Sequence, residues 1–107
     1  MKSSATQQQA DALADLAHRY VELAAGLPHV RRVLYEPLIS QITTLVETDP
    51  LQSAPRYAVF AAEQRAGEEH PGVLVNFRLI NLSEAEEAER QEWLSQRAEI
   101  LWTSTRC

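Results

Sequence analysis

The apolar positions near the N-terminus recur at spacings of three and four residues, the period of one face of an α-helix. Gly26 and Pro28 come next, and they predict the end of the helix. Glycine adopts the left-handed conformation that ends many helices, and proline cannot continue one. The pattern predicts a first helix over residues 5–25, with residues 1–9 frayed. Its apolar stripe comprises Leu13, Leu16, Tyr20, Leu23 and Leu27.

A second apolar series with a similar period follows directly. Pro28 suits the first turn of a helix, and the series predicts a helix over residues 28–47. Pro37 lies in the middle and lacks a backbone donor, so we expect a kink or a break near Tyr35 and Glu36. The β-branched run over residues 42–46 weakens the helix locally. The series comprises Val30, Leu34, Leu38, Ile42 and Leu45.

Residues 73–80 alternate between apolar and polar side chains, which predicts a strand. A partner strand over residues 57–63 would complete a β-hairpin, and this is the interpretation that we prefer. In the competing interpretation, residues 54–66 form a helix that stops at Gly67. The alanines favour that helix, whereas the aromatic and β-branched side chains favour the strand. The alternating apolar positions are Val73, Val75, Phe77 and Leu79.

The clearest element is the predicted last helix, which runs to about Trp102. Ser83 and Glu86 have the spacing of a capping box at its start. Trp93 and Trp102 are nine positions apart, which places them on opposite sides of a helix at 100° per residue. The apolar arc between them spans about 200°, more than a one-sided core needs. Either the domain itself covers this helix on two sides or one flank contacts a partner, and we favour the partner.

These elements predict an α+β fold in a single domain over residues 1–107. The arrangement consists of two antiparallel N-terminal helices, a β-hairpin and a C-terminal helix. An all-α bundle is the alternative, since residues 54–66 could be helical. A chain of this length can bury enough surface to fold without metal or disulfide links.

Composition narrows the classes of function. Fifteen acidic residues outnumber ten basic ones, giving a net charge of −5, and the only basic pair is Arg31 and Arg32. Proteins that bind nucleic acid through phosphates carry a basic patch or stripe, so we expect no nucleic-acid partner. With no long apolar run, no signal-peptide pattern and one cysteine, Cys107, the sequence predicts a cytoplasmic protein without a membrane span.

No motif in the sequence carries a reaction. None of the three glycines falls in a phosphate-binding loop. The histidines at 18, 29 and 70 lack the three or four convergent ligands of a metal site. We therefore expect no cofactor and no metal, and we favour a non-catalytic role over an enzymatic one.

Two hypotheses of function remain. In the first, the chain is a small acidic accessory, inhibitor, immunity or chaperone-like factor that docks one protein partner or a second copy of itself. Its predicted partner-binding residues are Trp93, Arg97, Ile100, Trp102, Glu68 and Glu69. In the alternative, it is a small dimeric enzyme or ligand-binding module with a pocket between the hairpin and the helices. That pocket would use Tyr57, Asn76, Arg78 and His70.

Overall fold

The structure, a computed structural model, describes residues 4–50, 52–94 and 99–103. Two long helices, one short helix and four strands make up this part of the chain, with single 3₁₀ turns at Pro37–Ile39 and Leu82–Glu84. The elements in chain order are α1 (Ser4–Ala24), β1 (Val30–Glu36), β2 (Gln41–Val46), α2 (Ala54–Glu69), β3 (Asn76–Asn81), α3 (Glu87–Leu94) and β4 (Glu99–Thr103).

The prediction of a helix over residues 28–47 is wrong, because this segment forms the β1–β2 hairpin. Its strands pair in antiparallel register, with Val33 opposite Thr44 and Tyr35 opposite Ile42. The β-branched side chains pack well on a pleated sheet and lose rotamer freedom in a helix. Pro37 opens the 3₁₀ turn between the strands instead of kinking a helix, and Ser40 closes it in the left-handed conformation with φ of 50°.

The four strands form one mixed sheet in the order β3-β2-β1-β4. Strand β1 pairs antiparallel with β2 and β4, whereas β3 runs parallel to β2. Helix α2 is the crossover that parallel strands require. The competing prediction of a helix over residues 54–66 is therefore confirmed, and the preferred strand over residues 57–63 is wrong. The strand predicted over residues 73–80 is present as β3.

The main core lies between the sheet and the two long helices. The predicted α1 stripe supplies Leu13, Leu16 and Tyr20, all buried. The Tyr20 hydroxyl and Thr44 Oγ1 are 2.6 Å apart in a buried hydrogen bond. The Tyr20 ring also lies 5.2 Å from the ring of Phe77, centroid to centroid. Tyr20 thus joins α1 to both β2 and β3, and burial raises the pKa of its hydroxyl.

The opposite face of the sheet carries a smaller core. Leu34, Leu45 and Leu82 are buried there, and Ile80 and Trp93 pack against them. The predicted helix to Trp102 is wrong: α3 ends at Leu94, and β4 follows as an edge strand. The α+β class is confirmed, but its hairpin lies earlier in the chain than predicted.

Replacement of Tyr20 by Phe tests the buried link between α1 and the sheet. The change leaves the Thr44 hydroxyl buried without this partner, so we expect the free energy of unfolding to fall by about 1–3 kcal/mol. Urea denaturation measures the loss. The loss of unfolding free energy in the Tyr20→Phe/Thr44→Val double variant should be smaller than the sum of the losses in the two single variants. Additive losses would contradict the link.

Candidate protein-binding surface

Trp93 and Trp102 do not share a helix, so the continuous apolar arc predicted between them does not exist. Trp93 lies on α3 and is half-buried against the smaller core. The guanidinium carbon of Arg78 lies 5.1 Å from the centroid of its ring, a cation–π contact. Trp93 therefore holds α3 on the sheet, and this packing accounts for much of its apolar surface.

Ile100 and Trp102 lie on β4. Ile100 pairs with Leu34 and Trp102 pairs with Val33, with a bulge between the two pairs. Residues paired across a ladder share a face of the sheet, so Ile100 lies on the side of the smaller core, where it remains 47% exposed. Trp102 is half-buried against the main core. Arg97, also predicted to bind a partner, lies outside the described residues.

One carboxylate connects α3 to the ends of two strands. Glu47 accepts a hydrogen bond from Arg90 Nη1 of α3 and forms an ion pair with Arg31 Nε at 3.3 Å. The hydrogen bond from Arg90 is the main reason that the pKa of Glu47 lies below its ordinary value. Because Arg31 belongs to β1 and Glu47 follows β2, the three side chains secure the helix that carries Trp93.

The two predicted acidic contacts end α2 and have different surroundings. Glu69 accepts hydrogen bonds from Arg19 Nε at 2.8 Å and Arg65 Nε at 3.2 Å. The bond from Arg19 is the larger cause of its lowered pKa. Glu69 therefore links α2 to α1, whereas Glu68 is exposed and is the better placed of the two for a partner.

The residues predicted for a ligand pocket do not come together. Asn76 and Arg78 share the face of β3 that bears Trp93, since Phe77 between them packs against the main core. Tyr57 is exposed on α2, which covers the other face, and stacks edge-on against Phe60 at 6.5 Å. His70 follows α2, with its Nδ1 2.9 Å from the Ala66 carbonyl oxygen.

A surface depression at the start of α2 offers no substitute for that pocket. Its volume is about 610 Å³, and His29 is the one ionisable residue among the described residues that line it. None of the four predicted ligand-binding residues lines it. The remaining lining residues are Pro28, Gln52, Ser53, Ala54, Pro55 and Ala58.

The largest exposed aliphatic side chains lie at one end of the sheet. Leu38 is 99% exposed in the β1–β2 turn, beside Ile39 at 53%, and Leu74 is 86% exposed just before β3. The Asn76 amide donates to the Ser40 carbonyl oxygen at 2.7 Å, so the turn and the start of β3 are adjacent. We call Leu38, Ile39 and Leu74 the tip patch.

The sequence analysis missed the tip patch, because it placed Leu38 on the apolar stripe of a helix. A usable signal was present nonetheless. The segment Pro37-Leu38-Ile39-Ser40 separates two β-rich runs, and side chains in a short hairpin turn project from the end of the sheet. Two aliphatic residues in such a turn indicate an apolar protrusion.

Among the described residues, Glu63 has a carboxyl group whose pKa is strongly raised. It lies half-buried on α2, and burial alone raises the pKa of its side chain to about 7. Its charge also contributes to the raised pKa of Tyr20. Within residues 4–50, 52–94 and 99–103, no cluster of three His, Cys, Asp or Glu side chains could hold a metal.

Comparison with known proteins identifies no relative: no family model, curated protein or solved structure matches the chain. In the part of the chain that the structure describes, every helix is too short or too polar to cross a membrane.

Glu63→Gln tests the buried acid through the pH dependence of stability. A carboxyl whose pKa rises on folding stabilises the fold below its ordinary pKa of 4.5, and that contribution is lost as the pH rises to about 7. Allowing for partial solvent screening, the variant should be about 1–2 kcal/mol more stable than the wild type at pH 8 and nearly equal to it at pH 4. Thermal unfolding across this range measures the difference.

The matched control is Glu68→Gln, on the exposed side of the same helix. Its effect on stability should be small at every pH. If the stability difference between Glu63→Gln and the wild type stays constant from pH 4 to pH 8, the raised pKa of Glu63 is contradicted.

Proposed function

We propose that this protein acts by binding another protein and that the tip patch is its docking surface. The observation that carries the proposal is the near-complete exposure of Leu38 and Leu74 at the same end of the sheet. Isolated exposed apolar side chains are common on soluble proteins, but several grouped together mark an interaction site. The same grouping supports an accessory or inhibitory role better than a catalytic one.

The turn that carries Leu38 and Ile39 is held in place before any partner arrives. Pro37 restricts its first backbone angle, and the Ser40 amide donates to the Pro37 carbonyl oxygen at 3.2 Å. The bond from Asn76 to Ser40 then fastens the turn to β3. A pre-ordered turn loses little conformational entropy on binding, which leaves more of the contact energy for affinity.

Burial of each aliphatic side chain of the tip patch contributes about 1.5–3 kcal/mol. Association costs at least about 4 kcal/mol in lost translational and rotational freedom, so the patch needs additional contacts at its rim. Ile100 is favourably placed, because β4 begins beside Tyr35 near the turn. Glu68 is also near this end, since α2 leads into β3 there. Both belong to the set predicted from the sequence.

The alternative, a small dimeric enzyme or ligand-binding module, has weaker support. Asn76 and Arg78 do lie side by side on one face of the sheet. Tyr57 belongs to the helix layer on the other face, so the predicted ligand-binding residues do not all lie on one face of the sheet.

A double substitution in the tip patch tests the proposal. Leu38→Ser/Leu74→Ser removes most of its apolar area, so captured partner should fall at least tenfold, the factor that about 1.4 kcal/mol produces. The measurement is affinity capture from the source cells with quantitative mass spectrometry of each retained protein.

Tyr57→Ser is the matched control, because it removes an exposed apolar side chain from α2, away from the tip patch. It should leave capture unchanged, and circular dichroism should show native folding in all variants. If the double variant retains the same proteins in the same amounts as the wild type, the tip patch is not the docking surface.

A further inference from the structure

The two edges of the sheet differ in how well they could accept another strand. Strand β4 is five residues long and its pairing with β1 is interrupted by a bulge. Strand β3 is six residues long and pairs with β2 without any shift in register. Bulges and short strands protect sheet edges against pairing, so β4 is a protected edge and β3 is an open one.

The backbone of β3 presents paired donors and acceptors outward. The Asn76 amide bonds to Ser40 beside β2, and both polar groups of a strand residue point to the same side. Asn76, Arg78 and Ile80 therefore bond toward β2, whereas Phe77 and Leu79 direct N–H and C=O outward. Among the described residues, none outside the sheet makes a backbone hydrogen bond with Phe77 or Leu79.

We propose that a second copy of this chain pairs with β3 in antiparallel orientation, across a two-fold axis perpendicular to the sheet. The two four-stranded sheets then form one continuous sheet. This goes beyond the proposed function, because it concerns a different surface and a different partner.

The symmetry restricts the register of this pairing. Residues that face each other across the axis must point to the same face of the sheet, so the axis passes through a residue position. An axis at Arg78 would place this residue opposite its copy, and like charges at directly opposite positions disfavour a strand pair. An axis at Leu79 instead places Leu79 opposite its copy and Phe77 opposite Asn81. The Leu79 pair brings outward N–H and C=O groups together, and the Asn81 N–H can donate to the Phe77 carbonyl oxygen, whereas the Asn81 carbonyl oxygen caps the 3₁₀ turn after β3.

Arg78 is the only charged side chain on β3, and a charge on an edge strand normally discourages pairing. Here the guanidinium lies over the ring of Trp93, which directs it across the sheet face and away from the edge. The edge is left with apolar and amide side chains, namely Asn76, Phe77, Leu79, Ile80 and Asn81.

Helix α2 adds an apolar contact next to this edge. Helix α1 contacts β1 and β4, and a right-handed crossover places α2 over β2 and β3. Glu69 faces α1 through Arg19. Phe60 is nine residues away, about 180° around the helix at 100° per residue. It therefore lies on the flank above the outer edge of β3, 46% exposed, where it would meet its copy across the axis.

Antiparallel pairing through β3 directs the two tip patches to opposite ends of the dimer. Each copy would then present its own docking surface without competition from the other. Such a dimer could connect two partner molecules, which a single chain with one tip patch could not do.

Amide hydrogen exchange combined with analytical ultracentrifugation tests the proposal. The amides of Phe77 and Leu79 should exchange more slowly as protein concentration rises and the dimer forms. The Arg78 amide, bonded toward β2 in either state, is the internal control and should show no such dependence. A monomer at all concentrations, or a dimer in which the Phe77 and Leu79 amides stay unprotected, would overturn the proposal.

A surface substitution supplies an independent test. Phe60→Glu places like charges across the axis and should weaken the dimer at least tenfold. Leu38→Ser/Leu74→Ser should not affect dimerisation, which separates this proposal from the tip patch. Dissolution of the dimer by the tip substitutions but not by Phe60→Glu would assign the interface to the tip patch and overturn pairing through β3.

Discussion

A single buried tyrosine joins the first helix to two strands of the sheet. Tyr20 projects from α1, reaches the middle of the sheet at Thr44, and packs on Phe77 of β3. Its hydroxyl is removed from water, which would cost about 1–3 kcal/mol without the hydrogen bond. The same side chain therefore fixes both the depth at which α1 lies on the sheet and its position across the strands.

Prediction from sequence succeeded where one periodicity was clear. The stripe of α1 contains spacings of three as well as four, which only a helix satisfies. The series from Val30 to Leu45 contains mostly spacings of four, which are also multiples of the strand period of two. The β-branched run at residues 42–46 was the better guide there. For α2, the small buried side chains Ala62 and Ala66 allow close packing, a tertiary effect that residue propensity does not register.

The candidate surface was harder to predict, because exposure is decided by tertiary contacts. Leu34 and Leu38 are the same residue type four positions apart, yet one is buried and the other fully exposed. Ile100 was predicted as part of a helical arc that does not form. It is exposed on β4, which is an edge strand of the sheet. Glu68 and Glu69 are also adjacent and alike, but only Glu69 lies within reach of Arg19. Sequence spacing gives no information on such neighbours.

The pairing of β1 with β4 joins residues that are far apart in the sequence, since Tyr35 lies beside Glu99. Contacts between such distant residues form slowly, because a long loop must close first. During synthesis on the ribosome, the β1–β2 hairpin and its helices emerge well before β4 does. One side of β1 therefore stays without a neighbouring strand until β4 has been synthesised. Premature termination shortly before β4 would leave that backbone open to other nascent chains.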